Sequence, residues 1–235
     1  MSFKSKSLPS TSNTKRPDPM EPGSYPARLV QLIGLGIQPQ RPYKGEEKPP
    51  RLSIRTTYEF LDEFMKDEEG EDITDKPRWL SEELPFMSLK ADMAKSTKRY
   101  YALDPDESAD GDWSELVGRP CMVTVVNETD KRPGNDTVYD KIAAVSAMRP
   151  KEAAKAPELV NPPLVWDFYE PDLEIFNGFP DWLKDKIKGA VDYDGSALQK
   201  ALEGGQEQKP KTPKADKKKP PVEAPDEPED EGEDW

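Results

Sequence analysis

Ten residues decide most of what this chain can fold into. From Arg51 to Phe60, Leu52, Ile54, Thr56, Tyr58 and Phe60 alternate with Arg51, Ser53, Arg55, Thr57 and Glu59. A period of two sends the first set to one face of a strand and the second to the other, so the segment reads as a half-buried strand. The chain must therefore supply a sheet with one wet face.

The neighbouring sequence offers partners for it. Tyr25 to Ile37 (YPARLVQLIGLGI) is apolar without a helical stripe and carries Gly34 and Gly36, which suits a long first strand bent at its glycines. The connection Gln38 to Pro50 holds four prolines and reads as a polar, partly basic loop. Asp62 to Glu83 contains ten acids against Lys66, Lys76 and Arg78, too charged for core, and is expected to be an excursion on the surface. Leu84 to Leu89 (LPFMSL) is taken as a short third strand. Leu89, Met93, Thr97 and Tyr100 or Tyr101 then recur at helical spacing, placing a helix that ends before Asp104 and Pro105. Asp112 to Val117 reads as one capped turn. Cys121 to Asn127 and Thr137 to Met148 read as a hairpin whose tip carries Lys131, Arg132, Pro133 and Gly134. Pro150 to Pro163 is a linker, Leu164 to Tyr169 extends a sheet edge, and Asp181 to Ala190 is a short amphipathic helix.

Composition limits both the fold and the chemistry. Hydrophobic residues make up 34% of the 235, charged residues another 34%, and there are 26 prolines, so one modest core with unstructured ends is expected. The boundaries read as a disordered arm over 1–22, a folded domain over 23–202, a Lys/Pro-rich linker over 203–222 and an acidic tail over 223–235. The chain has no His and a single Cys, which removes Ser-His-Asp and Cys-His catalysis and any Cys/His zinc site. No GxxxxGK[ST] loop is present, and Gly34 and Gly36 lack the rest of a dinucleotide fingerprint. No cofactor and no enzymatic activity are expected. The amino terminus lacks the apolar core of a signal peptide and no run is long enough for a membrane span, so the expectation is a cytoplasmic protein without a membrane partner.

Three strands, a helix and two further strands is the element order of an OB-fold, a five-stranded barrel with its helix between strands 3 and 4. The expected class is mainly β, an OB-fold-like barrel with a small C-terminal helical extension and disordered termini. The segments GSYPARLVQLIGLGIQ (Gly23 to Gln38), LPFMSL with ALDP (Ala102 to Pro105), LVGRPCMVTV (Leu116 to Val125) and FPDWLKDKIKGA (Phe179 to Ala190) resemble those of single-stranded DNA-binding proteins from tailed-phage replication and recombination modules. An acidic tail ending in an aromatic residue is similar to phage and bacterial proteins of that function. The resemblance implies a non-enzymatic protein that coats single-stranded DNA without sequence specificity in the bacterial host cytoplasm. It also implies a tail that recruits a phage or host polymerase, helicase/primase or recombinase, and it leaves a homo-oligomer open. The rival reading is a structural or inhibitory phage protein that uses the barrel for protein contacts.

Sequence-independent binding needs aromatic rings for base stacking and cations along the phosphates. Candidates are Arg41, Tyr43 and Lys44 in the first connection, Arg51 and Arg55 on the second strand, Lys98, Arg99 and Tyr100 in the helix, and Lys131 and Arg132 at the hairpin tip. Tyr43, set among polar residues, is the foremost stacking candidate. The net charge of −13 opposes phosphate binding, yet 223–235 alone contributes −8 and 62–83 contributes −7. The tail residues Asp230, Glu231, Glu233, Asp234 and Trp235 form the expected partner-binding element, tethered through six lysines between Lys209 and Lys219.

Overall fold

A computed structural model describes residues 17–42, 44–130 and 136–204. Among these described residues six strands and five short helices follow one another as β1 (Gly23–Gln38), β2 (Arg51–Lys66), β3 (Asp72–Pro85), α1 (Lys95–Leu103), β4 (Pro120–Thr129), β5 (Val138–Ala147), α2 (Pro150–Ala153), β6 (Leu164–Trp166), α3 (Leu173–Gly178), α4 (Asp181–Lys188) and α5 (Ala197–Gly204). A 3₁₀ turn at Trp113–Leu116, capped by the Asp112 carboxylate accepting from Ser114 N, precedes β4.

The strands form one sheet in the order β3-β2-β1-β4-β5, antiparallel along that path. β4 pairs with β1 only over Gly23 to Arg28. The farther half of the same β1 edge is taken by β6, which runs parallel to Gln31 through Ile33. Among the described residues no ladder joins the end strands β3 and β5. They are bridged instead by side chains: Arg78 on β3 pairs with Asp140 on β5 at 3.0 Å. From α1, Arg99 reaches Glu82 on β3 at 2.7 Å and the Ala143 carbonyl on β5 at 3.4 Å. The fold is thus mainly β, as expected, with six strands in one open sheet among the described residues.

Two apolar clusters lie on opposite sides of β1, which explains why that segment shows no clean alternation. Its register with β2 shifts between Leu29 and Gln31 and again between Gly34 and Ile37. Each shift inserts a residue and re-aims the side chains that follow. Ala27, Leu29 and Leu32 consequently join Tyr58, Phe60, Leu116 and Val123 in one cluster. Ile33 and Leu35 join Trp166, Phe168, Phe176, Ile187 and Leu198 in the other. Two of the glycines of β1, Gly34 and Gly36, lie close against the segments that build that second cluster. A Cβ at Gly34 would stand 3.3 Å from Phe168 N, and one at Gly36, where φ is +71°, would stand 2.9 Å from the Asp192 carboxylate.

Several expectations need correction. The acidic stretch 62–83 is the end of β2 and most of β3, and the third strand ends at Pro85 where the sequence placed its start. An edge strand tolerates this charge because its acids face solvent or a cation, as Asp72 does with Lys66 at 3.1 Å. α1 starts at Lys95, leaving Met93 65% exposed rather than on a buried stripe. Met20, assigned to the arm, is buried in the first cluster, and its amide donates to Asp140 at 2.9 Å.

The 150–163 linker is fastened across the outer face. Arg28 and Glu59 are cross-strand partners. Arg28 donates to the carbonyls of Pro157 and Ala156 at 2.7 and 3.0 Å. The buried Glu59 carboxylate accepts from Val160 N at 2.7 Å, from Asn161 N and Nδ2, and from Trp79 Nε1. The arm before residue 17, and the 203–222 linker and 223–235 tail apart from 203–204, lie outside the described residues.

Candidate nucleic-acid interface

The second face of β2 carries Arg55, Thr57 and Glu59, opposite Glu83, Ser81 and Trp79 of β3; it is not the wet face expected, since Thr57 and Glu59 are buried and Arg55 is the one of the three that keeps solvent contact. α4 lies against the Arg55 end of this surface. Leu183 and Ile187, four residues apart, bury one stripe of α4 in the second cluster. That leaves Trp182 and Lys186, also four apart, on the adjoining face. The Trp182 ring, 52% exposed, lies over the Arg55 guanidinium at 4.8 Å. Arg55 also donates to Glu83 at 3.4 Å, and Lys186 donates to the other oxygen of the same carboxylate. Burial pulls the Arg55 guanidinium below its ordinary pKa, and the Glu83 charge and hydrogen bond oppose that pull.

Beside this group runs a groove of about 490 Å³ whose charged lining is Arg41, Lys48, Lys186 and Glu83. Three cations against one acid make it suited to an anionic chain. The larger groove, about 830 Å³, has the opposite character: Asp18, Glu21, Glu63, Asp67 and Glu68 outnumber Lys66 and Arg78 on its walls. Phosphates would be repelled there.

The candidates named from sequence do not converge on one place. Arg41 lines the smaller groove, Arg55 stands beside it, and Arg51 on the same strand donates to the Met87 sulfur at 2.9 Å. Lys44 is exposed in the loop between β1 and β2, at φ +50°. Lys98 is exposed on α1 and lines a separate shallow depression with Tyr101, Ser146 and Ala147. Arg99 and Tyr100 are buried and do not serve as a docking surface. Arg99 is spent on Glu82, and Tyr100 is packed in the first cluster with its hydroxyl donating to Asp104 at 3.1 Å and accepting from Gly111 N. The exposed member of the tyrosine pair is Tyr101. Tyr43, Lys131, Arg132 and the five tail residues lie outside the described residues.

Comparison with protein-family models, with curated proteins and with solved structures finds no match for the chain. Its function must therefore be argued from its own residues. Among the described residues no cluster of His, Cys, Asp and Glu is placed to hold a metal, and no helix is long and apolar enough to cross a membrane.

Sequence reasoning missed Trp182 and Lys186. The signal was present in the helix Asp181 to Ala190: once Leu183 and Ile187 are assigned to the buried stripe, Trp182 is left off it, and a large aromatic off the stripe is the residue to suspect.

Proposed function

We propose that the chain is a single-stranded DNA-binding protein built on an OB-type barrel, of the kind that serves phage replication and recombination. It coats exposed strands without reading sequence and recruits partner enzymes through its acidic tail. The observation that carries this reading is Trp182 stacked on Arg55 at 4.8 Å beside a groove lined by Arg41, Lys48 and Lys186. A half-exposed indole offers a base a stacking surface, and the adjoining cations follow the phosphates; each stacked base contributes about 1–3 kcal/mol whatever its identity. The strand order β3-β2-β1-β4-β5 with α1 between β3 and β4 supports the OB-type reading, as do the side-chain bridges that Arg78 and Arg99 make between the two ends of the open sheet.

The tail supplies a competitor. A polyanion tethered to the folded region has a high effective concentration at any cationic groove and is displaced when DNA arrives, which frees Trp235 for a partner. The rival reading, a barrel used for protein contacts, draws support from the acidic groove whose walls include Pro17, Pro19, Tyr25 and Phe64.

Fluorescence anisotropy with labelled single-stranded and double-stranded oligonucleotides tests the choice, using the full chain and a chain ending at Val222 at two salt concentrations. Single-strand binding is expected to exceed double-strand binding, to weaken with salt and to tighten when the tail is removed. Absence of binding by both chains at low salt would assign the molecule to the protein-contact class.

A further inference from the structure

Coating a strand requires cations and a ring; it does not require the acid that sits among them. Glu83 projects from β3 directly across from Arg55 in the strand register. One carboxylate oxygen accepts from Arg55 Nη1 and the other from Lys186 Nζ, so two cations from different elements converge on one small anion. Trp182 roofs the same guanidinium. Among the residues lining the adjoining groove Glu83 is the one acid, beside Arg41 and Lys48.

We infer that Arg55 and Lys186 form a phosphate subsite for one phosphodiester of the bound strand, and that the Glu83 carboxylate occupies this subsite until the strand displaces it. The inference rests on the single-strand-binding reading above and assigns that site its first phosphate. A carboxylate and a phosphodiester offer a guanidinium and an ammonium the same chemistry, anionic oxygens that accept charge-assisted hydrogen bonds. The occupant is open to water and held unevenly, paired closely with Lys186 and only weakly with Arg55. Arg55 stands 3.4 Å from it, longer than a good charge-assisted bond, and the side chains of Glu83 and Lys186 are 32% and 34% exposed. Ion pairs open to water contribute little to stability. A phosphate arriving with the release of counterions from the strand can therefore take the carboxylate's place. Trp182 would then stack a base while the guanidinium beneath it holds the neighbouring phosphate.

The test uses the full chain and a labelled oligothymidylate in about 50 mM salt, where phosphate contacts are strongly expressed. Glu83→Gln and Glu83→Ala should each tighten binding about fivefold, since the strand no longer has to displace an anion. Glu174→Gln, the same charge change on the exposed surface of α3, should shift affinity less than about twofold if the effect is local rather than a matter of net charge. Adding Lys186→Gln to Glu83→Gln should abolish the gain. Affinities of the Glu83 variants that track the Glu174 control, or a gain that survives the loss of Lys186, overturn the subsite while leaving single-strand binding in place. Failure of the unmodified chain to bind the oligomer overturns the single-strand reading and the subsite together. Titration with inorganic phosphate against chloride at equal ionic strength identifies the source. Selective erosion of the Gln variant's advantage by phosphate means that the subsite takes a free phosphate group, and equal erosion by both salts means that it takes phosphate only as part of a strand.

Discussion

The two apolar clusters on either side of β1 are held together in different ways. The first is made by long strands, two of them 16 residues each, that pair residues far apart in sequence. The second is made by one three-residue strand and helices of six to eight residues. Helices this short do not stand alone in water. Their order comes from an aromatic nucleus, with Trp166 stacked on Phe176 at 5.7 Å and meeting Phe179 edge-on at 5.5 Å, laid against Ile33 and Leu35. The bulges in β1 are what let one strand serve both. The second cluster thus depends on the first for a surface, while the first draws its one helix from α1 and packs without α3, α4 or α5. The interface candidate falls at their junction, with Arg55 from the sheet and Trp182 from α4.

The largest effect should come from cutting the dependent side. Phe176→Ala removes a fully buried ring and is expected to cost the second cluster about 3–5 kcal/mol. Hydrogen exchange should then show protection lost in α3–α5 while the β1, β2 and β4 amides of the first cluster stay protected. Simultaneous loss in both regions would mean that the clusters form one cooperative unit. A smaller effect is expected from Glu59→Ala, about 1–3 kcal/mol, because it orphans the donors of Trp79, Val160 and Asn161 that the carboxylate now accepts. It should expose the 157–161 strap to limited proteolysis before either cluster unfolds, and cleavage no faster than in the unmodified chain would assign the strap's hold to Arg28 alone.

Acid should weaken the molecule through the first cluster, beside which Asp104 is buried. Asp104 is fully buried, and burial by itself would raise its pKa. The bonds from Ala109 N, Ser108 and Tyr100 and the charge of Arg119 outweigh burial and hold it at about 2. A folded-state value below the unfolded one means that the stabilisation is complete above about pH 4 and disappears as pH falls toward 2. Thermal melts across that window should lose stability in the unmodified chain, and Asp104→Asn should flatten the dependence. A slope unchanged in the Asn variant would place the acid sensitivity elsewhere.

The first cluster was largely legible in the sequence and the second was not, for a physical reason. β1, β2, β4 and β5 announce themselves through alternation or β-branched runs, and Asp112 through its capping position. β3 hid because an edge strand can carry acids on its open side, so its composition resembles a loop. Trp166 and Phe176 sit in elements too short to show a period, Phe168 and Phe179 lie just outside them, and no local pattern reports that the four meet on the back of β1. The same limit applied to the interface. Arg55 could be placed on a wet face, but nothing local says that Arg99 finds Glu82 and is consumed by structure. Nor does Asp181 to Ala190 say by itself that Trp182 comes to rest over an arginine some 130 residues earlier.

The smallest change in stability, and the sharpest test of what the junction is for, is Trp182→Ala. The ring is half exposed and belongs to neither cluster, so its removal should change the unfolding free energy by no more than about 0.5 kcal/mol. Arg55 loses a cation–π contact but keeps Glu83, which with the ring's own exposure limits the cost. If the indole is a stacking surface, affinity for single-stranded DNA should nevertheless fall about fivefold or more, the loss of roughly one stacked base. Trp182→Phe should recover most of it, because any aromatic face can stack. A packing role predicts the reverse pattern, a clear loss of stability with affinity unchanged once the protein is folded. The two regions would then meet only to hold each other, and the cations along the groove would be left without a base platform beside them.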